Sequence, residues 1–187
     1  MSLKIEGRLD LIIGPMFSGK STELIRKIRL AKIINKKVLV IKPIIDIRYK
    51  NDKIVSHSFE QEECQTIEKL KDIDHLINQY DLIIVDEGQF FPDLKEYVLK
   101  WVDINKKEIT VGGLDGGHKR NKLGEILDLI PYSDTCIKIN SLCKKCNDGT
   151  PGIFTLRTNS NEEQVQIGGE ESYMPMCRKH YLAQNGI

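Results

Sequence analysis

The stretch "LIIGPMFSGKSTELIRK", Leu11 to Lys27, joins an apolar run to a glycine-bracketed turn and then to a charged helical pattern. Gly14, Gly19, Lys20 and Ser21 satisfy G-x-x-x-x-G-K-[ST], and the match stands after a strand pattern and at the opening of a helix, as its mechanism requires. The glycines let successive backbone N–H groups converge on one concavity, and the helix N-terminus adds partial positive charge. Lys20 is placed to reach the β- and γ-phosphates of a nucleotide, and Ser21 to ligate Mg²⁺. The loop of Gly14, Pro15, Met16, Phe17, Ser18, Gly19, Lys20 and Ser21 is therefore expected to bind ATP. A chance glycine turn at a strand-helix joint is the plain alternative, and the context weighs against it.

Outward from this loop, four apolar, partly β-branched runs read as buried strands: Leu9 to Gly14, Val38 to Lys42, Leu82 to Asp86, and Ile109 to Leu114. Helical periods lie between them. Ser21 to Ile34 carries Leu24, Ile28 and Ala31 on one face; Thr66 to Tyr80 carries Ile67, Leu70, Ile73 and Ile77; Asp93 to Val102 carries Leu94, Val98 and Trp101. This alternation predicts an α/β fold, a P-loop parallel sheet flanked by helices, with ligands at the C-terminal ends of its strands. After about Asn140 the helical period stops. Gly152 to Thr158 and Gln164 to Gly169 read as short strands around Asn159-Ser160-Asn161, predicting a small β-hairpin. The expected organisation is an ATP-binding domain over 1–140 and a small C-terminal β subdomain over 141–187.

Composition narrows the function. The chain has 187 residues and a net charge of +1, from 28 basic and 27 acidic side chains, so charge gives no signal of a nucleic-acid or membrane partner. No apolar run approaches the roughly 20 residues of a membrane span, and the N-terminus lacks a signal-peptide pattern. A soluble, cytoplasmic protein with a small-molecule site is expected. Five cysteines in such a chain point to metal ligation or free thiols rather than to a disulfide framework.

The third strand pattern runs into Asp86 and Glu87 in "DLIIVDEGQFF". A P-loop protein needs an acidic residue there to orient Mg²⁺, a role that falls to Asp86. Glu87 would then lie near the transferred phosphoryl group and accept a proton from the attacking nucleophile. The alternative for Glu87 is a solvated strand-end carboxylate. Phe90 and Phe91 follow, either stacking on a planar ligand or filling the core. Farther on, "CKKC" at Cys143 to Cys146 and "CRKH" at Cys177 to His180 supply four N/S ligands, the closed set of a structural zinc site. A thiol-redox pair at Cys143 and Cys146 is the alternative. Cys64 and Cys136 stand outside this set and are read as small buried hydrophobes.

Together these residues resemble the type II thymidine kinases, which combine a P-loop domain with a zinc-tethered lasso over the nucleoside. The resemblance rests on PMFSGKSTEL at 15–24, DIRY at 46–49, DEGQFF at 86–91, LDG at 114–116, the two cysteine pairs, and IGGEESY at 167–173. It implies transfer of the γ-phosphate of ATP to the 5′-hydroxyl of thymidine in nucleotide salvage for DNA synthesis, with deoxyuridine a weaker substrate. Glu87 becomes the catalytic base. Lys20, Ser21, Asp86, Gln89 and Arg48 serve ATP and Mg²⁺. Met16, Asp46, Phe90, Leu114, His118, Thr155, Val165, Ile167, Gly168, Gly169 and Tyr173 serve the nucleoside, the lasso strand binding thymine through main-chain groups. Zinc at Cys143, Cys146, Cys177 and His180, a homotetramer and feedback by dTTP are implied in the same way. The chain departs from the family pattern LDGTFQRKPFG, reading LDGGHKRNKLG, so that His118 and Leu123 replace two phenylalanines. Two rivals use the same residues: a P-loop ATPase in which Glu87 activates water, and a zinc-ribbon module that binds nucleic acid through its lysine pairs.

Overall fold

The computed structural model describes residues 6–46, 53–55, 61–159, 168–169 and 171–186. Strand β1 (Arg8–Gly14) leads into α1 (Lys20–Ile33), followed by β2 (Val38–Pro43), β3 (Lys53–Val55), β4 (Gln61–Glu63) and β5 (Gln65–Ile67). Next come β6 (Leu82–Val85), α2 (Leu94–Leu99), β7 (Glu108–Leu114) and β8 (Thr135–Lys138). The C-terminal part holds β9 (Ser141–Leu142), β10 (Pro151–Gly152), β11 (Phe154–Arg157), β12 (Tyr173–Met176) and α3 (Arg178–Gln184). Six strands form one sheet in the order β5-β2-β6-β7-β1-β8, and every pairing in it is parallel.

A parallel sheet buries both faces, and the alternation of side chains divides the core accordingly. Leu9, Leu11 and Ile13 of β1 join Leu39, Ile41, Ile83 and Val85 against Leu70, Leu94 and Trp101 on one side. Ile12, Val40, Leu82 and Ile84 meet Leu24, Ile25 and Ile28 of α1 on the other. The connection leaving β1 runs across the sheet toward β2, and the one leaving β7 runs the opposite way toward β8; between two such strands an open α/β sheet exposes a crevice at its strand ends. Gly14, Asp86 and Leu114 all stand at that edge.

Asp10 is a charged residue buried inside the sheet. Its carboxylate lies 2.7 Å from Lys27 Nζ of α1 and 3.0 Å from Arg8, and accepts a 2.7 Å hydrogen bond from the Thr135 hydroxyl. Burial alone would raise its pKa, but the hydrogen bonds from Arg8, Lys27 and Thr135 outweigh burial and hold it below the ordinary value. A carboxyl depressed in the folded state stabilises above its unfolded pKa of about 3.9, and that contribution is lost as pH falls below it. Asp10→Asn is therefore expected to flatten the acid limb of melting temperature against pH. An unchanged acid limb would show that the pairing contributes nothing.

Three expectations need correction. Thr66 and Ile67 lie in β5 rather than in a helix, because these β-branched residues extend the sheet beside β2. The apolar stripe of Leu70, Ile73 and Ile77 is buried as expected, but it winds as a 3₁₀ helix over Leu70–Gln79. In the C-terminal part, β11 pairs antiparallel with β12, and the expected hairpin partner over 164–169 falls for the most part outside the described residues. Cys136 is exposed rather than buried, since β8 is an edge strand with three of its four residues open to solvent. No helix among the described residues is long and apolar enough to cross a membrane.

Candidate active site

The turn between β1 and α1 is shaped by its glycines. Gly19 caps α1 at φ 87°, a conformation that side-chain-bearing residues rarely adopt. A Cβ on Gly14 would lie 2.2 Å from the Ile139 carbonyl oxygen and 2.9 Å from Ser18 Oγ. Gly14→Ala is thus expected to shift the loop and weaken ATP binding by at least about tenfold, the scale of a small overpacking strain. Titration of ATP against the variant measures it, and wild-type affinity would contradict it.

Ser18 Oγ is buried without a hydrogen-bond partner among the described residues. A buried hydroxyl of this kind is costly unless something accepts or donates to it, and a phosphate oxygen would fill that need. Lys20 is also buried, its ammonium donating to the Pro15 carbonyl at 2.7 Å and so folded over the loop. The Met16 N–H donates to Thr155 Oγ1 at 3.0 Å, which ties the tip of the loop to β11. Met16, expected to serve both ATP and the nucleoside, thus adjoins Thr155, expected to serve the nucleoside.

Across the loop, the Ser21 hydroxyl donates to Asp86 Oδ2 at 3.3 Å, while Asp86 Oδ1 accepts the Glu87 N–H at 3.0 Å. A hydroxyl from the loop and a strand-end carboxylate in contact form the pair that holds Mg²⁺ in P-loop NTPases, so the donor set fits that ion. Glu87 follows in the left-handed region, φ 50° and ψ 42°, and is buried. Such a conformation is costly for glutamate and concentrates at functional sites. Its carboxylate accepts a 2.6 Å bond from Gln89 Nε2.

Gln89, a residue expected to serve ATP, has a buried side chain that links Glu87 to β7, its Oε1 accepting the Leu114 N–H at 3.0 Å. A Cβ on Gly113 would stand 2.3 Å from that Oε1, and one on Gly124 would stand 2.1 Å from the Gln89 carbonyl oxygen. Both ends of the 114–124 segment thus press on Gln89. Phe91 is a core residue, as the packing alternative expects, while Phe90 is half-buried.

Of the residues expected to meet the nucleoside, Tyr173 and His118 both lie near Arg157. Arg157 donates to the Tyr173 hydroxyl at 2.8 Å and lies over its ring, 5.3 Å from the centroid. Burial, then the positive charges of Arg157 and Lys119, hold the His118 imidazole below its ordinary pKa, so it is neutral at pH 7. Gly169 is engaged in a turn, its carbonyl accepting from Ser172 and Tyr173 and its N–H donating to Glu171. Gly168 and Asp46 are buried. Arg48, Val165 and Ile167 lie outside the described residues.

The ligand atoms of Cys143, Cys146, Cys177 and His180 all lie within 4.8 Å of one another. His180 Nδ1 is 3.5, 3.3 and 3.4 Å from the three sulfurs in that order, and the Cys146 and Cys177 sulfurs are 3.8 Å apart. Bonds of about 2.3 Å to sulfur and about 2.0 Å to nitrogen in a tetrahedron give edges of about 3.5 to 3.8 Å, so the set fits zinc. Burial opposes ionisation of the Cys143 thiol, yet hydrogen bonds from Cys177, His180, Cys146 and Lys145 bring its pKa down to about 6. This favours the thiolate that a metal binds. Sequence spacing had found the ligands but not Arg157, Tyr181 or the wedged glycines, whose partners are distant in the chain.

A family model described as thymidine kinase matches residues 7–181. A thymidine kinase of Oryza sativa subsp. japonica is 38% identical over 182 residues, covering 94% of this chain and 66% of that protein. Thymidine kinase a of Arabidopsis thaliana is 38% identical over 184 residues, covering 96% of this chain and 76% of that one. The thymidine kinase of Raccoon poxvirus is 38% identical over 176 residues, covering 94% and 97% respectively. The chain thus spans about two thirds of the rice protein and nearly all of the viral one.

Proposed function

The chain belongs to the thymidine kinase family, and we propose that it transfers the γ-phosphoryl group of ATP to the 5′-hydroxyl of thymidine, giving dTMP. The observation that carries this reading is the contact between the Ser21–Asp86 pair and the buried, left-handed Glu87 beside it. Gly14 to Ser21 would cradle the phosphates, with Lys20 leaving the Pro15 carbonyl for the β- and γ-phosphates. Mg²⁺, held by Ser21 and Asp86, would neutralise charge on those phosphates. Glu87 accepts the proton of the 5′-hydroxyl, and Gln89 keeps its carboxylate in place. Arg48 would steady the phosphates. Phosphoryl transfer asks little covalent chemistry of the protein, so positioning and electrostatics supply the rate.

Met16, Asp46, Phe90, Leu114, His118, Thr155 and Tyr173, with Val165, Ile167, Gly168 and Gly169 of the lasso, would receive the nucleoside. A neutral His118 can both donate and accept toward a base. Rejection of a base lacking one methyl is modest, about 1 to 3 kcal/mol, so deoxyuridine should be a weaker substrate. The four-ligand cluster would hold zinc with no open position, a structural role for the subdomain over 141–187. Family membership further supports a cytoplasmic homotetramer in nucleotide salvage for DNA synthesis, with dTTP as feedback inhibitor. Incubation with ATP, Mg²⁺ and each of thymidine, deoxyuridine, deoxycytidine and deoxyguanosine tests the reading. Monophosphate from thymidine, with less from deoxyuridine and none from the others, is expected; equal use of all four would refute thymidine selectivity.

A further inference from the structure

The 114–124 segment is fastened at its middle as well as at its ends. Tyr181 is almost fully buried among Cys143, Leu156, Met176 and Cys177, in the small core that surrounds the metal-ligand set. From there its hydroxyl donates to the His118 carbonyl at 2.5 Å, across 63 residues of sequence. Two residues later, Arg120 lies over the same tyrosine, 5.1 Å from its ring centroid, and 5.5 Å from that of Phe154. Those two rings touch each other with centroids 5.0 Å apart. Arg120 adopts φ 62°, unfavourable for arginine, so the segment bends to make this contact. Leu123 is buried and packs beside Gly117, whose Cβ position lies 3.4 Å from it.

From this geometry we infer that Tyr181 is a positioning residue for nucleoside binding: its hydroxyl and ring hold the 114–124 segment, and with it His118, in the orientation the nucleoside meets. Tyr181 touches neither the phosphate loop nor Glu87 in any contact described above. Its influence therefore runs through the segment that it clamps. The identity of the ligand rests on the thymidine kinase reading, and the role of the tyrosine on its hydrogen bond and ring contacts.

Tyr181→Phe removes one oxygen and leaves the packed ring, so the fold and the metal-ligand set stay intact. The nucleoside KM is expected to rise roughly five- to tenfold, the scale of one buried hydrogen bond. The ATP KM, kcat and bound metal per chain should stay at wild-type values. Lys119 and Arg120 are exposed, so trypsin cleavage there should accelerate by a similar factor as the segment opens. Arg120→Ala, a surface change, should move the nucleoside KM and, at Lys119, the cleavage rate in the same direction by less. A Tyr181→Phe enzyme with wild-type nucleoside KM overturns the inference, whether or not cleavage changes; so does a rise in ATP KM of equal size, which would mean a general loss of structure. If the wild-type protein phosphorylates no nucleoside, the thymidine kinase reading fails, an outcome separate from an active wild type with an indifferent variant.

Discussion

Glu87→Gln lowers thymidine turnover by about two to four orders of magnitude, the usual contribution of a positioned general base. The substitution is nearly isosteric, and its geometry explains why the fold should survive. Gln89 Nε2 donates to Glu87 Oε2, and an amide oxygen in that position accepts the same bond. Gln89 Oε1 remains engaged by the Leu114 N–H, so the neighbouring strand keeps its partner. What is lost is the ability to take a proton. ATP affinity and melting temperature should therefore match the wild type while dTMP formation nearly vanishes. A variant with near-normal kcat would remove Glu87 from the base role and leave its strained backbone unexplained.

Cys143→Ser is expected to abolish metal binding and to have the largest effect on stability. Cys143 is buried, its N–H donates to the Thr150 carbonyl, and its sulfur faces His180 Nδ1. Structural zinc contributes about 10 to 16 kcal/mol of binding free energy in small domains, and most of that becomes folding free energy. Without the metal, this part of the chain depends on a small core around Leu156, Met176 and Tyr181 and on the β11–β12 pairing. The consequences should reach the active site, since Thr155 bonds the phosphate loop and Tyr181 bonds the His118 carbonyl. A lower melting temperature, metal content near zero and a raised nucleoside KM are expected. Metal analysis of purified protein gives the direct answer, and equal metal in variant and wild type would contradict the assignment.

The parts of this molecule legible in its sequence are those whose chemistry is local. The phosphate loop is legible because glycine, lysine and serine must stand at fixed offsets between a strand and a helix. The metal ligands are legible because each pair must reach one ion from a single turn. Strand β8 escaped because Cys136, Ile137 and Lys138 lie open to solvent at a sheet edge, leaving no buried run to detect. The partner of β11 escaped because Tyr173 to Met176 contains Pro175 and lacks alternation. The role of Gln89 depends on contacts with Leu114 and Gly124, and that of Tyr181 on His118, none of which leaves a local pattern. Sequence thus pointed to the candidate groups, and the fold showed which residues bond and pack against them.

The central claim is that a phosphoryl group passes from ATP to a nucleoside hydroxyl beside Glu87. ATP labelled in its γ-phosphate, supplied with Mg²⁺ and either thymidine or 5′-deoxythymidine, tests it most directly. The label should appear in dTMP with thymidine, and in no nucleotide product with 5′-deoxythymidine. Label released as inorganic phosphate at the same rate with either compound, and none in dTMP, would mean that water is the acceptor and that the site is an ATPase.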